Sequence, residues 1–354
     1  MRTTASRLLG AVALATALVS GVTVDAVADP PALPPATAVV GFGGQTTQGV
    51  LDRFSTDYNA YLAGLGDTTS PRLYNWDSEG SAQLTTKVGA TQLSRPGVAV
   101  SVLALDQYTH FTVDFVRVEA LPADLPGYVV PDATFVRFAK DAVSWSAPAG
   151  GNAPANLTAA DLRNIYSGVY TTWNQITDIP GYVGPNSVIK PYLPQVGSGI
   201  RAVFLKAIGS PLLSPAVVAA TDDNEGTAPV FSDPDVIFPY SVGHWIGQVY
   251  GGHTTTADAP GPLTVRAVNG VAPLTAAHTI NPTFANATFT YGAFGRYVHN
   301  VVRAAEWSAT DAHGIALRSV FGPNGWICTN GAADVQSYGF LALPANACGT
   351  VSPH

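Results

Sequence analysis

The chain has 354 residues, of which 47% are hydrophobic and only 12% charged. This composition is too apolar for a disordered chain and too interrupted for a multi-span membrane protein, and the length suggests about two domains. The formal charge is −7, from 17 basic and 24 acidic side chains, and no long Lys/Arg run exists. General nucleic-acid binding is therefore excluded, while a local arrangement of N–H groups and an arginine can still hold an anion.

The first 28 residues read as an export signal. Arg2 and Arg7 form a basic start, Leu8 to Val24 an apolar stretch, and Ala26-Val27-Ala28 a small-x-small cleavage site. No cysteine lies near the cleavage point, so no bacterial lipid anchor is predicted. The expected location is secreted, extracellular or cell-wall associated. Cys328 and Cys348 are the two cysteines. In an oxidising compartment they are expected to form a disulfide that contributes roughly 3 kcal/mol.

Pro30 to Pro35 predicts an extended leader. Val39-Val40-Gly41-Phe42-Gly43-Gly44 reads as a strand ending in a glycine turn, and Val50 to Leu65 carries apolar residues at helical spacing. Arg72 to Trp76 and Thr112 to Val118 read as strands, and Val98 to Leu105 is a continuous apolar run. Phe135 to Trp145 is a strand candidate interrupted by Lys140-Asp141. Thr158 is a candidate N-cap for a helix to Tyr166, with Asp161 favouring its start and Gly168 its stop. Val188 to Leu193 predicts a strand, Gly197-Ser198-Gly199 opens a helix over Arg201 to Ile208, and Val298 to Trp307 predicts a late helix. Recurring strand, glycine turn and helix point to α/β units with mostly parallel sheets and no internal repeat.

Three segments could carry chemistry. Gly41 to Gln48 precedes a helix, so it is either a plain strand–helix turn or a turn whose N–H and hydroxyl groups hold an anion. Secretion and the missing third glycine, where Thr46 stands, argue against a dinucleotide cofactor. In Gly197-Ser198-Gly199-Ile200-Arg201, the cation sits unfavourably at a helix's positive end unless an anion is present. Asp222-Asp223-Asn224-Glu225-Gly226-Thr227 lacks calcium-loop spacing and reads as a solvated turn. The seven histidines show no metal-ligand spacing, and no cofactor is predicted.

Taken together, the sequence resembles the PstS-like phosphate-binding proteins of ABC-type uptake, most closely their actinobacterial branch. The landmarks, in order, are Gly44-Gln45-Thr46-Thr47-Gln48, Leu73-Tyr74-Asn75-Trp76-Asp77, Arg95-Pro96 and Val113-Asp114-Phe115-Val116-Arg117. They continue with Phe138-Ala139-Lys140-Asp141, Leu162 to Gly168, Pro191 to Gly199, Asn224-Glu225-Gly226-Thr227 and Tyr338-Gly339-Phe340-Leu341. The resemblance implies an α/β, two-lobed periplasmic-binding-protein-like fold of type 2, with two hinge crossovers and a ligand cleft between the lobes. Lobe I would comprise residues 29–138 and 289–354, and lobe II residues 139–288.

The resemblance also implies ligand contacts from Gln45, Thr46 and Thr47 and from the Ser198-Gly199-Ile200 turn, where the family's threonine hydroxyl is replaced by Ile200. A family serine is likewise replaced in Gly97-Val98-Ala99. Each lost bond to a charged ligand could cost ~1.5–3 kcal/mol, and Arg201, Arg95 or Arg117 would compensate. Glu119 falls near a carboxylate that reads the ligand's proton and separates phosphate from sulfate. The leading expectation is a monomeric, non-catalytic receptor for phosphate or a related oxyanion that docks to an ABC permease. The alternatives are a binder of a phosphorylated or carboxylated organic ligand, a ligand-free cell-surface protein, and a hydrolase, which lacks a recognisable base for Ser198.

Overall fold

The structure, a computed structural model, describes residues 29–95, 111–121 and 132–352. The export signal, the apolar run from Val98 and the Val98 position itself lie outside the described residues. The strands are β1 (Val39–Gly43), β2 (Leu73–Asn75), β3 (Gln83–Leu84), β4 (Leu93–Ser94), β5 (Phe115–Val118), β6 (Ala133–Pro148) and β7 (Asn156–Leu157). They continue with β8 (Lys190–Pro194), β9 (Val218–Thr221), β10 (Val236–Ser241), β11 (Leu263–Val265), β12 (Ala267–Val268), β13 (Gly295–Arg303) and β14 (Leu341–Ala342). The helices are α1 (Gln48–Gly64), α2 (Ala159–Ser167), α3 (Gly199–Ala207), α4 (Val242–Val249), α5 (Pro282–Asn286), α6 (Ala304–Ser308), α7 (Ala312–Phe321), α8 (Trp326–Asn330) and α9 (Ala332–Ser337).

The main sheet runs β2-β1-β5-β13-β6-β10-β8-β9. Its two ends are parallel: β1 pairs in parallel with β2 and β5, and β8 with β9 and β10. Between them β13 and β6 run antiparallel to their neighbours. The first part of β6, from Ala133 to Ala142, pairs with β13, and the rest, from Val143 onward, pairs with β10 and β11. One strand thus leaves the first parallel unit and enters the second. The cores divide in the same way. Trp145, Tyr166, Trp173, Phe204, Phe231 and Phe238 share one cluster, whereas Phe54, Phe115, Phe138 and Trp326 share another.

Local chemistry explains the elements that position the site. Val50, Leu51, Phe54, Tyr58 and Leu62 form the buried stripe of α1. Thr158 caps α2 through a reciprocal box with Asp161, and Gly168 closes it in the left-handed region. Ser198 caps α3 by accepting from the Arg201 N–H at 3.1 Å, so this helix begins at Gly199, two residues before its predicted start.

Residues Val298 to Trp307 are not the predicted helix: they contribute most of β13, followed by the short α6. β13 is covered on both edges by β5 and β6, and its valines Val298, Val301 and Val302 are buried. A central strand needs no alternation, and β-branched residues favour it over a helix. Lys140-Asp141 does not interrupt β6 either. Asp141 is buried and faces Arg296 in register across β13, with the guanidinium donating to its carboxylate at 2.8 and 3.1 Å. The Ser241 hydroxyl at 2.8 Å and the Gly243 N–H at 2.9 Å complete its shell. Among the described residues, no helix is long and apolar enough to cross a membrane.

Cys328 and Cys348 form the predicted disulfide, tying α8 to the C-terminal segment. Replacing both by serine should lower unfolding free energy by roughly 3 kcal/mol, read as a lower urea midpoint. Asp141→Asn leaves Arg296 buried without its counter-charge and should cost about 3–5 kcal/mol. An unchanged urea midpoint for that variant would show that the pair contributes nothing to stability.

Candidate functional site

β1 ends in Gly43-Gly44, and the chain makes a single helical turn over Gln45–Thr47 before α1. Opposite this turn, β5 delivers Glu119 just past its last residue. The Glu119 carboxylate accepts the Thr46 N–H at 2.9 Å. Gly44 permits this approach, because a β-carbon there would stand 2.4 Å from Glu119 Oε1. From the second parallel unit, Gly199 reaches the other side of the same side chain, and a β-carbon at Gly199 would lie 2.6 Å from Glu119 Cβ. The two glycine turns singled out in the sequence therefore meet, with Glu119 between them.

Thr46 is held from both units. Its hydroxyl accepts from the Asn224 side-chain amide at 2.9 Å, and its carbonyl meets His244 Nδ1 at 3.1 Å. His244 Nε2 lies 2.8 Å from the Asp258 carboxylate. Burial pushes this imidazole down, but Asp258, the Thr46 carbonyl and Glu119 outweigh it and raise its pKa to about 9, so it is charged at neutral pH. Arg296 donates to the Glu119 carbonyl at 3.0 Å while it holds Asp141. The hinge strands thus fix the backbone that aims Glu119.

Several polar atoms in this small space have no partner. The Thr47 hydroxyl, Glu119 Oε2 and both carboxyl oxygens of Asp223 are buried and unbonded. Asp223 is 4% exposed. Its burial first, then the charge of Glu119, raise its carboxyl pKa to about 8, against the opposing pull of Ser198 and Arg296. Buried polar groups are seldom left unpaired, and these four atoms make the place a candidate seat for a small polar ligand.

The other nominated residues do not face this seat. The Gln45 amide donates outward to Glu79 at 2.7 Å. The Ile200 side chain is buried in the core of the second unit, leaving only its helix-start backbone as a donor. The Arg201 guanidinium turns to the Pro194 carbonyl at 2.9 Å. Arg95 binds Asp29 at 2.6 and 3.0 Å and the Asp77 and Ser81 carbonyls at 2.7 and 3.0 Å. Arg117 lies under the first turn, donating to the carbonyls of Gly43 at 2.9 Å, Gly44 at 3.2 Å and Trp76 at 3.1 Å. Burial lowers its pKa to about 10, so it remains a cation, but one that supports the turn from behind.

The segment read as a solvated turn is buried at its centre, while Asp222 and Thr227 are exposed. Asp223 and Asn224 are 4% and 0% exposed. Asn224 adopts φ +56°, a conformation Asn tolerates, and its side-chain carbonyl accepts the Ser241 N–H at 2.9 Å. Sequence reasoning also missed His244 and Arg296, which carry no local motif and act only through contacts distant in sequence. A cleft of about 740 Å³ opens beside the site between α1, α9 and the 252–258 loop, and Asp258 lies in its wall.

A family model described as a PBP superfamily domain matches residues 75–305. No curated protein matches the sequence. Among solved structures, the fold is similar to that of a putative phosphate ABC transporter substrate-binding protein with bound phosphate from Clostridium perfringens. The identity is 13%, covering 87% of this chain and 100% of that one, with a TM-score of 0.56. An ABC-type phosphate transport receptor from Vibrio cholerae is 13% identical over 86% of this chain and 100% of that one, at a TM-score of 0.54. The ancestral soluble variant of the human phosphate binding protein is 14% identical over 87% and 91%, at a TM-score of 0.51. These likenesses carry the fold. With the family model spanning more than half of its length and two parallel units joined by two crossing strands, the chain belongs to the PBP superfamily and has its type 2, two-lobed α/β fold.

Proposed function

We propose that this protein is a secreted, non-catalytic solute receptor that closes its lobes on phosphate or a related proton-bearing oxyanion and passes it to an ABC-type permease. Lobe I is assigned to residues 29–138 and 289–354 and lobe II to 139–288. The observation that carries the reading is the group of unpartnered buried polar atoms around Glu119, at the meeting of the first turn with the start of α3. Thr47 supplies a hydroxyl, and the start of α3 supplies backbone N–H groups and a favourable dipole. Glu119 Oε2 accepts a proton carried by the ligand. A fully ionised tetrahedral anion meets only repulsion there, which separates phosphate from sulfate.

One observation favours a larger ligand. Arg95, Arg117 and Arg201 are all committed elsewhere, and a cleft lies nearby with Asp258, the partner of His244, in its wall. A phosphorylated or carboxylated organic molecule could place its anionic group at Glu119 and its body in that cleft.

Calorimetric titration of the purified, ligand-stripped protein tests the reading. Saturable heat with phosphate and none with sulfate is expected. Thr47→Val removes one hydroxyl at nearly constant shape and should weaken phosphate by about 10-fold or more. Absence of phosphate binding would overturn the phosphate reading, and binding of a sugar phosphate alone would favour the organic ligand.

A further inference from the structure

Asp223 is the group that the receptor reading leaves without a task. It is buried, and neither of its carboxyl oxygens has a partner in good hydrogen-bonding geometry, although the Ser198 hydroxyl is close enough to act on it. It adjoins Ser198 at the start of α3, and Glu119 and Arg296 act on it from the first lobe and the hinge, with Asp222 beside it in its own turn. Arg296 is spent on Asp141 and on the Glu119 carbonyl. His244, the other nearby cation, is spent on Asp258 and the Thr46 carbonyl. Among the described residues, neither of these cations is free to pair with Asp223 directly, and an ionised carboxylate there would repel the anion proposed for the seat.

We propose that Asp223 is a ligand-contacting residue whose carboxyl group, in its proton-bearing form, donates to an oxyanion oxygen and stands in for the hydroxyl that Ile200 lacks. This rests on the reading of the site as an oxyanion seat. Burial, reinforced by Glu119, raises the Asp223 carboxyl to about 8, so it carries its proton at neutral pH. The two carboxyl groups then have opposite tasks: Glu119 accepts from the ligand's proton, and Asp223 donates to a bare oxygen. A buried carboxylic acid kept neutral so that it can donate is an established device. The ligand class that fits is a tetrahedral oxyanion offering one O–H and at least one unprotonated oxygen, such as monohydrogen phosphate, arsenate or a monoprotonated phosphonate.

The sign follows directly. Below about 8 Asp223 keeps the proton it donates; as pH rises past that value Asp223 ionises, and affinity for the monohydrogen anion should fall by about tenfold per pH unit. His244, with its pKa of about 9, adds its own loss at the upper end, and a variant at Asp223 separates the two. Asp223→Asn keeps the shape and a donor but cannot ionise, whereas Asp223→Ala removes the donor. The test is a series of phosphate titrations of the full secreted protein and both variants across that range. The expected result is a wild-type affinity that declines through about 8, an Asn variant that binds with a flatter profile over the same interval, and an Ala variant at least about 10-fold weaker at neutral pH. A wild-type profile matched by the Asn variant, or full affinity in the Ala variant, would overturn the role of Asp223 while leaving the receptor reading intact. No phosphate binding by the wild type at any pH would overturn both.

Discussion

The bond on which the rest of the site depends is the buried pair between Arg296 and Asp141, facing each other across the two strands that join the lobes. Asp141 gathers donors from the second lobe, the Ser241 hydroxyl and the Gly243 N–H, while Arg296 reaches back to the Glu119 carbonyl in the first. A charge pair taken out of water repays its desolvation only when its remaining hydrogen bonds are satisfied. Here they are satisfied by groups from both lobes, so the hinge is fixed at the point where the two cores part. Glu119 leaves β5 directly above that point, and its direction follows from the hinge.

Glu119 in turn makes the two lobes meet. It fills the space left by two glycines, Gly44 and Gly199, one from each lobe, and takes the Thr46 N–H that a bound anion could otherwise use. Thr46 is also gripped by Asn224 and His244 of the second lobe. The first turn and the second unit are accordingly in direct contact around Glu119 and Thr46. The ligand proposed for this place would have to bring a proton for Glu119 Oε2, the oxygen left without a donor. This requirement, and not a surplus of positive charge, is what the site imposes on its ligand.

What the sequence revealed and what it hid divide by range. The caps at Thr158 and Ser198, the stripe of α1 and the glycine turns are local, and each is visible in a few consecutive residues. The cysteine pair is likewise found where only two are available. Val298 to Trp307 reads as a helix in sequence because a strand paired on both edges loses its alternation. Asp223 and Asn224 were taken for a solvated turn because their burial is produced by Ser241, Thr46 and Glu119, none of them nearby in the chain. The arginines illustrate a different limit. Arg95, Arg117 and Arg201 were nominated for their charge, yet a guanidinium has five donors, and here those donors satisfy turn carbonyls and Asp29. Of the two cations that do reach the site, His244 and Arg296, the second is placed there by strand register alone.

The central claim is that an oxyanion sits between the first turn and the start of α3, against Glu119. A crystal structure of the protein grown with phosphate tests it most directly. A tetrahedral anion is expected about 3 Å from the Thr47 hydroxyl, the Glu119 carboxyl group and the N–H groups that open α3. A structure in which Glu119 still holds the Thr46 N–H and the seat contains no anion, or in which the anion binds elsewhere, would contradict it.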